Sequence, residues 1–368
     1  MKLFTVIGAR PQFVKASVVS RAFAAWNRHA NERSRIREVL VHTGQHYDAN
    51  MSDVFFEELR IPPPAYHLGI GGSGHGQQTG RMLEALDRVL NDERPDWVLV
   101  YGDTNSTLAG GLAACKFNIP VAHVEAGLRS FNRAMPEEIN RVLVDHLSTR
   151  LFAPTTRAVK NLSAEGIERE VHEVGDVMYD SLLYNFERAA AVAKPLERLD
   201  LASKGYLLAT VHRAHSTDDP ERLKGLLEAL GRIAYPILLP LHPRTRAACE
   251  RANIQRFPSN LRVIQPVSYY EMLLLEQSAR VILTDSGGIQ KEAFFLHVPC
   301  VTLRDETEWR ETIESGWNRL AGTDPDRIVA ATEAAFQELP NTPGVFYGDG
   351  HAGENIVAIM SGERLMVH

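Results

Sequence analysis

The sequence predicts two doubly wound α/β domains in tandem, and three observations carry that expectation. Short apolar runs of strand length alternate with amphipathic helical stretches from residue 2 to residue 174, and the alternation starts afresh at Tyr206. Strands separated by helices make parallel sheets with right-handed crossovers. At 368 residues the chain is longer than one ordinary core requires. Between the two series lie residues 179–203, helical in pattern and running into the polar, proline-containing AKPLERLDLASKG.

Residues 2–7 read as a buried strand ending in Gly8-Ala9-Arg10-Pro11. The next helix places Val14, Val18, Val19, Ala22, Phe23 and Trp26 on one stripe, the period of a helix packed on a sheet. Residues 39–42 form a second strand, followed by the polar TGQHYDAN, a short helix over 53–59 and the breaker Ile61-Pro62-Pro63-Pro64. The loop GIGGSGHG, residues 69–76, leads into a helix over 77–91. Strand 97–101, helix 104–117 and strand 121–124 come next, and Pro136 opens a helix to residue 147 from the first position that suits proline. Residues 150–153 and 171–174 are short strands. The second series has strands at 206–211, 237–241, 261–264, 281–284 and 300–303. The expected boundaries are therefore a first domain over 1–176, a second over 177–345 and a tail over 346–368, with a hinge near 176–180 and a cleft between the domains. Ile356, Val357, Ile359 and Met360 suit a last helix that packs back on the first domain.

Apolar residues at 44% and charged residues at 23% are globular values. A net charge of −6 argues against a nucleic-acid binder, whose footprint is basic. Cys115, Cys249 and Cys300 are far apart and outside any CxxC, which fits a reduced, cytoplasmic setting. MKLFTVIGARPQ reads as a strand entering a turn, and no apolar run approaches the ~18 residues of a membrane span. There is no HExxH, no Cys/His cluster and no Asp-rich loop, so no metal is expected. Gly8-Ala9-Arg10-Pro11 lacks GxGxxG, so no bound NAD is expected either.

The most informative stretch is VILTDSGGIQKEAFF, residues 281–295. A strand, a tight turn with Ser286, Gly287 and Gly288, and a helix start presenting unpaired N–H groups make an anion site. Ser-Gly-Gly alone equally suits a turn that needs small residues. The helix is expected to show an apolar stripe at Ile289, Ala293 and Leu296, with Gln290, Lys291 and Glu292 between. Glu292, one turn in, is placed to take the hydroxyls of a ribose.

Ligands of open α/β sheets sit at the carboxyl ends of strands. Asp103 follows strand 97–101 and Glu125 follows strand 121–124, one βα unit apart at the same edge. Alone, Asp103 suits a helix N-cap and Glu125 a partner for Arg129. Together they look like an acid/base set, because neighbouring carboxylates push their pKa values apart. Glu137 and Arg141, spaced i,i+4, suit a surface ion pair, yet the preceding loop carries Arg129, Asn132 and Arg133 straight out of the Glu125 edge. Arg10 and Lys15 supply positive charge for a diphosphate. In the second series His212-Arg213 and His242-Pro243-Arg244 end strands, where a lone histidine is more often packing than chemistry.

GARPQFVKA, HTGQH, GDTNSTLAGGLAA, HVEAGLRS, MPEEINR, LATVHRA, LPLHPRTR and LTDSGGIQKEA stand in the order and spacing of the non-hydrolysing UDP-N-acetylglucosamine 2-epimerases, which the chain resembles over residues 1–335. The resemblance implies a glycosyltransferase-B fold of two Rossmann-like domains, a homodimer, a UDP-sugar substrate and no cofactor. It implies interconversion of UDP-GlcNAc and UDP-ManNAc by eliminating UDP across C1–C2 to a 2-acetamidoglucal, then re-adding it with protonation of C2 from the other face. By position Asp103, Glu125 and Glu137 match the family's acidic catalytic residues and His212 its histidine. Arg10, Lys15, Ser286, Gly287, Gly288 and Glu292 match residues that hold UDP, with Arg141 and His242 nearby.

Three departures stand out. The family's His-Arg-x-Glu-Asn reads His212-Arg213-Ala214-His215-Ser216, which loses an acid. Its Thr-Thr-Glu-Arg-Pro reads Glu306-Thr307-Glu308-Trp309-Arg310, so Trp309 replaces an arginine that helps bind UDP. HTGQH is followed by Tyr47-Asp48-Ala49-Asn50-Met51, in the region of some bacterial members' allosteric UDP-GlcNAc site. These features resemble the branch acting on UDP-2,3-diacetamido-2,3-dideoxyglucuronate, for which Arg129, Arg133 and His215 are candidate partners of the extra carboxylate. Both substrates therefore stay open here, for surface polysaccharide precursors in either case. So do two other classes, a glycosyltransferase of the same fold and a non-catalytic nucleotide-sugar sensor. The three carboxylates at one edge speak for the epimerase.

Overall fold

The structure, a computed structural model, describes residues 1–45, 59, 61–337 and 344–362. It divides into a unit comprising Met1–Leu183 with Val345–His368 and a unit comprising Tyr184–Gly344. The short helix expected over 53–59 lies, apart from Leu59, outside the described residues, as do Tyr47 to Met51.

The first unit holds a parallel sheet of β1 (Lys2–Ile7), β2 (Arg37–His42), β3 (Tyr66–His67), β4 (Trp97–Tyr101), β5 (Val121–Val124), β6 (Arg150–Ala153) and β7 (Val171–Glu173). Its order is β3-β2-β1-β4-β5-β6-β7. The strands are near-continuous apolar runs because helices cover both faces. Phe4, Val6, Val41, Val98 and Val100 pack with Met82, Leu86 and Leu90 of helix His75–Glu93. The order reverses between β1 and β4, so the loops after these two strands diverge and leave a crevice of the kind that ligands use.

The second unit repeats the plan with β8 (Leu207–Thr210), β9 (Ile237–Pro240), β10 (Leu261–Ile264), β11 (Ile282–Thr284), β12 (Cys300–Thr302) and β13 (Asn318–Leu320). The order is β10-β9-β8-β11-β12-β13, all parallel, with its reversal between β8 and β11. The two doubly wound sheets expected from the alternation are thus present. The strands that escaped the pattern, β3 and β13, are two and three residues long, too short to show a period. Helix Thr156–Ala164 escaped it as well.

The chain leaves the first unit along helix Val177–Val192 and re-enters it at Val345. The two passages are stitched together inside that unit. Asp176 N donates to Tyr347 O at 2.9 Å, and a Cβ on Gly348 would lie 2.9 Å from Gly175 Cα. Helix Ala352–Ser361 then packs on helix Arg10–His29, so closely that a Cβ on Gly353 would lie 2.6 Å from Val18 Cγ1. Its amino end is held by Asp180, whose Oδ2 accepts from Gly353 N at 2.8 Å.

Burial pushes the Asp180 carboxyl up to about 6, against the backbone N–H groups of Gly353 and Ala352, which pull it down, and with Asp176 nearby pushing the same way. The folded chain therefore holds this proton at pH values where the unfolded chain has lost it. Stability contributed at Asp180 falls as pH rises from about 3.8 to about 6 and stays low above that. Asp180→Asn keeps an acceptor for Gly353 and removes the ionisation. It is expected to raise stability at pH 8 by roughly 2 kcal/mol, with the gain vanishing as pH approaches 4. Denaturant unfolding of both proteins across that range checks this, and a gain that grows toward acid would contradict it.

Candidate functional site

In the first unit the chemistry gathers at the carboxyl ends of β1, β4 and β5. After β4, Gly102 turns with φ +61° and Asp103 follows. The N-cap of helix Asn105–Lys116 is Thr104, whose hydroxyl accepts from Thr107 N. The helix is capped without Asp103, whose carboxylate instead meets the Arg141 guanidinium. After β5, Glu125 adopts φ +72°, a conformation that non-glycine residues rarely hold and that cooperating contacts must impose. Its N–H and that of Ala126 both donate to Phe152 O, at 3.0 and 3.1 Å, and this turns its side chain back toward the β4 end. There it pairs with Lys15, the two side chains only 5% and 9% exposed. A Cβ on Gly102 would stand 3.0 Å from Lys15 Nζ and 3.1 Å from Glu125 Oε2, so the glycine is what admits the ion pair against the Asp103 turn. The structure brings Asp103, Glu125, Lys15 and Arg141 together. Lys15, read from sequence as a cation for a diphosphate, stands here as the counter-ion of Glu125.

Two residues to which the sequence reading gave no role build this edge. Gln12 accepts with Oε1 from Gly8 N and Ala9 N at 2.8 and 3.0 Å. Its Nε2 donates to Tyr101 O and Thr107 Oγ1, both at 3.0 Å, so it fastens the start of helix Arg10–His29 to the end of β4. Glu138 accepts from Ser130 N, Ser130 Oγ and Phe131 N at 2.8–2.9 Å and from Arg141 Nη1 at 2.7 Å. The ion pairs of Arg141 thus go to Asp103 and Glu138, not to a surface pair with Glu137. Glu137 lies half-buried in the first turn of helix Pro136–Leu147, and Arg10 half-buried at the start of its own helix.

Arg129 requires correction. It is buried, with Nη1 on Asp145 at 2.6 Å and Nε on Glu165 at 2.7 Å. Withdrawing it toward a substrate would leave the buried Asp145 carboxylate short of a partner, so it belongs to the framework. Arg133 is exposed in the same loop.

In the second unit the reversal of strand order sets the end of β8 beside the end of β11, and His212 therefore meets Asp285. The Asp285 side chain is wholly buried and accepts from His212 N at 3.0 Å and Arg213 N at 2.9 Å, with His212 Nδ1 at 3.3 Å. The strand-end reasoning that singled out Asp103 and Glu125 applies equally to Asp285, which was not drawn from it. The His212 and His242 rings lie 5.3 Å apart, and His242 Nδ1 caps helix Pro243–Arg251 by accepting from Arg244 N at 3.1 Å.

Ser286 is the N-cap of helix Gly287–Phe295, with Oγ accepting from Ile289 N at a long 3.5 Å. Polar side chains converge on the helix start. A Cβ on Gly287 would lie 2.8 Å from Glu308 Oε1, 3.3 Å from Trp309 Nε1 and 3.7 Å from Arg213 Nη2. Trp309 is buried with its ring over the Lys291 ammonium, 3.9 Å from the centroid, an attraction to the ring quadrupole. Gln290, Lys291 and Glu292, expected between the positions of the apolar stripe, are all buried, and segment 307–318 meets the first two of them. Gln290 Oε1 accepts from Thr307 Oγ1 at 2.7 Å and Asn318 Nδ2 at 3.3 Å. His215 is exposed, and its carbonyl accepts from Arg222 Nη1 at 2.7 Å.

Among the described residues no group of three His, Cys, Asp or Glu could hold a metal ion, and no helix is long and apolar enough to cross a membrane. A cavity of about 550 Å³ lined by Phe23, Ile36, Glu38, Pro62 and Tyr66 lies against the amino half of β2, away from the strand ends that carry the carboxylates.

Residues 28–361 match the profile of the UDP-N-acetylglucosamine 2-epimerase family. The chain is 50% identical over 368 residues to the UDP-2,3-diacetamido-2,3-dideoxy-D-glucuronate 2-epimerase of Pseudomonas aeruginosa, covering 98% of this chain and 99% of that protein. It is 44% identical over 375 residues to the UDP-N-acetylglucosamine 2-epimerase of Methanocaldococcus jannaschii, again covering 98% and 99%. A crystal structure of Methanocaldococcus jannaschii UDP-GlcNAc 2-epimerase in complex with UDP-GlcNAc and UDP superimposes with a TM-score of 0.89 at 43% identity, over 98% of this chain and all of that one. The two α/β units are of the glycosyltransferase-B type.

Proposed function

This chain belongs to the UDP-N-acetylglucosamine 2-epimerase family, and from that premise we propose that it inverts C2 of UDP-GlcNAc to give UDP-ManNAc. The route is elimination followed by re-addition. A carboxylate takes the C2 proton, the C1–O bond breaks, and its electron pair leaves with UDP, giving a 2-acetamidoglucal. Protonation of C2 from the opposite face and return of the UDP oxygen to C1 complete the inversion. Every step of this route is a proton transfer or the breaking or making of the C1–O bond, with no hydride transfer, so the reading uses no NAD and no metal. Its setting is a cytoplasmic homodimer.

The observation that carries the reading is the convergence of Asp103 and Glu125 at one strand edge, each beside its own buried cation. A positioned acid and base are what proton transfer at C2 requires. Glu137 joins them as the third carboxylate. The second unit's share is UDP: the helix start at Ser286, Gly287 and Gly288 for the diphosphate, Glu292 for the ribose, and His212 held by Asp285 for the departing group. A glycosyltransferase would need an acceptor, and a sensor would not turn over. Incubation with UDP-GlcNAc in the absence of any acceptor separates the three, and finding no C2 epimer would sink the proposal.

A second reading keeps the chemistry and changes the sugar to the diacetamido-uronate. The likeness to the Pseudomonas aeruginosa protein favours it, together with His215 where the family usually has an acid. A C6 carboxylate needs a cation beyond those that hold the diphosphate, and a glutamate near it would repel it. His215→Glu is therefore expected to shift the ratio of kcat/KM toward UDP-GlcNAc by about tenfold, equivalent to ~1.4 kcal/mol. Measuring both sugars with both proteins decides it, and an unchanged ratio removes His215 from the specificity argument.

A further inference from the structure

His123 is wholly buried on β5, two residues before Glu125, and the mechanism gives it no task. Both of its ring nitrogens meet acceptors. Nδ1 lies 2.7 Å from Asp145 Oδ1, and Nε2 lies 2.8 Å from the carbonyl oxygen of Gly102, the residue before Asp103. A carbonyl offers no proton, so Nε2 carries one. The contact at Nδ1 then has a proton either on the ring or on Asp145. The other oxygen of Asp145 decides between them. Asp145 Oδ2 accepts from Gly127 N at 3.1 Å and from Arg129 Nη1 at 2.6 Å, both of which favour the ionised carboxylate. Other charged groups around the cluster are Glu165, which takes Arg129 in a two-point contact, His146, which lies 3.2 Å from Glu165 Oε2, and the Lys15–Glu125 pair, which stands against Gly102.

We infer that His123 is a buried imidazolium and that the His123–Asp145 pair is the positioning device that sets both carboxylate-bearing turns. One end of the pair holds the Gly102 carbonyl and hence the backbone that aims Asp103. The other end holds Gly127 N and Arg129, just beyond Glu125, which needs its neighbours fixed to keep φ at +72°. The turn is tight enough that a Cβ on Gly127 would lie 2.4 Å from Ala158 O. With Asp145 ionised, a neutral ring would set one bare nitrogen against an acceptor lone pair and release one of the two turns. The role of the pair in turnover rests on the epimerase reading above, while its protonation state does not.

The test uses the full-length protein labelled with ¹⁵N-histidine. At pH 7.5 one histidine is expected to show both ring nitrogens in the protonated region, a signal absent from His123→Gln. A bare ring nitrogen in the signal lost from that variant would overturn the inference. Should His123→Gln fail to fold, the same resonance is assigned by its shift in Asp145→Asn, where the ring is expected to become neutral. In Asp145→Asn, kcat is expected to fall ~10²-fold with KM and UDP affinity little changed, the scale of a misplaced reacting group. Wild-type kcat in a folded Asp145→Asn would overturn the positioning role. If the unaltered protein has no epimerase activity, the nitrogen spectrum still reads the charge on His123, so the two proposals fail separately.

Discussion

Replacing Glu125 by Gln, or Asp103 by Asn, is expected to lower turnover of UDP-GlcNAc by ~10²-fold or more, the scale for loss of a positioned acid or base. The two variants should differ in stability. Glu125 and Lys15 are a nearly buried pair, so Glu125→Gln leaves the Lys15 ammonium without its counter-charge and is expected to cost roughly 3 kcal/mol of folding free energy. Asp103→Asn leaves Arg141 paired with Glu138 and should unfold close to the unaltered protein. Glu137→Gln belongs with the other two in rate, and as a half-buried residue of a first helical turn it should leave stability near normal. The chemistry is read by running the reaction in deuterated water. Elimination and re-addition should place deuterium at C2 of the product without added NAD, and each variant should lose label in step with turnover. Near-normal turnover in all three variants would remove the carboxylate edge from the mechanism. Full-rate product without label would point to a proton shielded from solvent or to another route.

These expectations rest on residues that differ in how far the sequence exposed them. Asp103 and Glu125 were visible because strand-end position follows from period alone, and the doubly wound order turns that position into proximity. Their counter-ions are not legible: the sequence offers Arg129 for Glu125 and no cation for Asp103, whereas Lys15 and Arg141 reach them from helices far away in sequence. Arg129 was misjudged for a related reason. A loop arginine just beyond a strand-end carboxylate reads as reaching for a ligand, and only the fold shows Asp145 and Glu165 already holding it. The helix after Gly288 shows a contact of the same kind. Gln290 and Lys291 fall between the apolar positions of that helix, and the segment around Trp309 that meets them arrives from further along the chain, a contact no local pattern encodes. Glu138 and Gln12 were hidden because glutamate and glutamine in a first helical turn are ordinary there, and what marks them is the number of backbone donors that each accepts from or fastens. Glu125 carried no sign of its left-handed backbone, since the strain lies in the contacts that surround it rather than in its type.

Asp285→Asn is expected to lower kcat by ~10³-fold or more while UDP still binds, by analogy with replacing a carboxylate that orients a catalytic histidine. Asp285 is wholly buried and acts as an acceptor toward His212 N, Arg213 N and the His212 ring. Asparagine is the same size and can keep an oxygen toward the two backbone N–H groups. Its amide NH₂ then points at His212 Nδ1 and requires that nitrogen to accept. The proton is forced onto Nε2 and a charged ring is disfavoured, so the histidine loses the form in which it can stabilise or protonate a departing diphosphate. Because fold and backbone contacts survive, calorimetric UDP affinity should stay within about 1 kcal/mol of the unaltered protein. Asp285→Ala is the contrasting variant. It strands two buried backbone donors and is expected to destabilise the second unit by several kcal/mol, of the order of 1–3 kcal/mol for each unsatisfied group. Steady-state rates for Asp285→Asn, set beside its thermal unfolding, separate the two effects. Unaltered kcat in a folded Asp285→Asn would mean that His212 works without an orienting carboxylate or does not take part, and His212→Asn would then decide which.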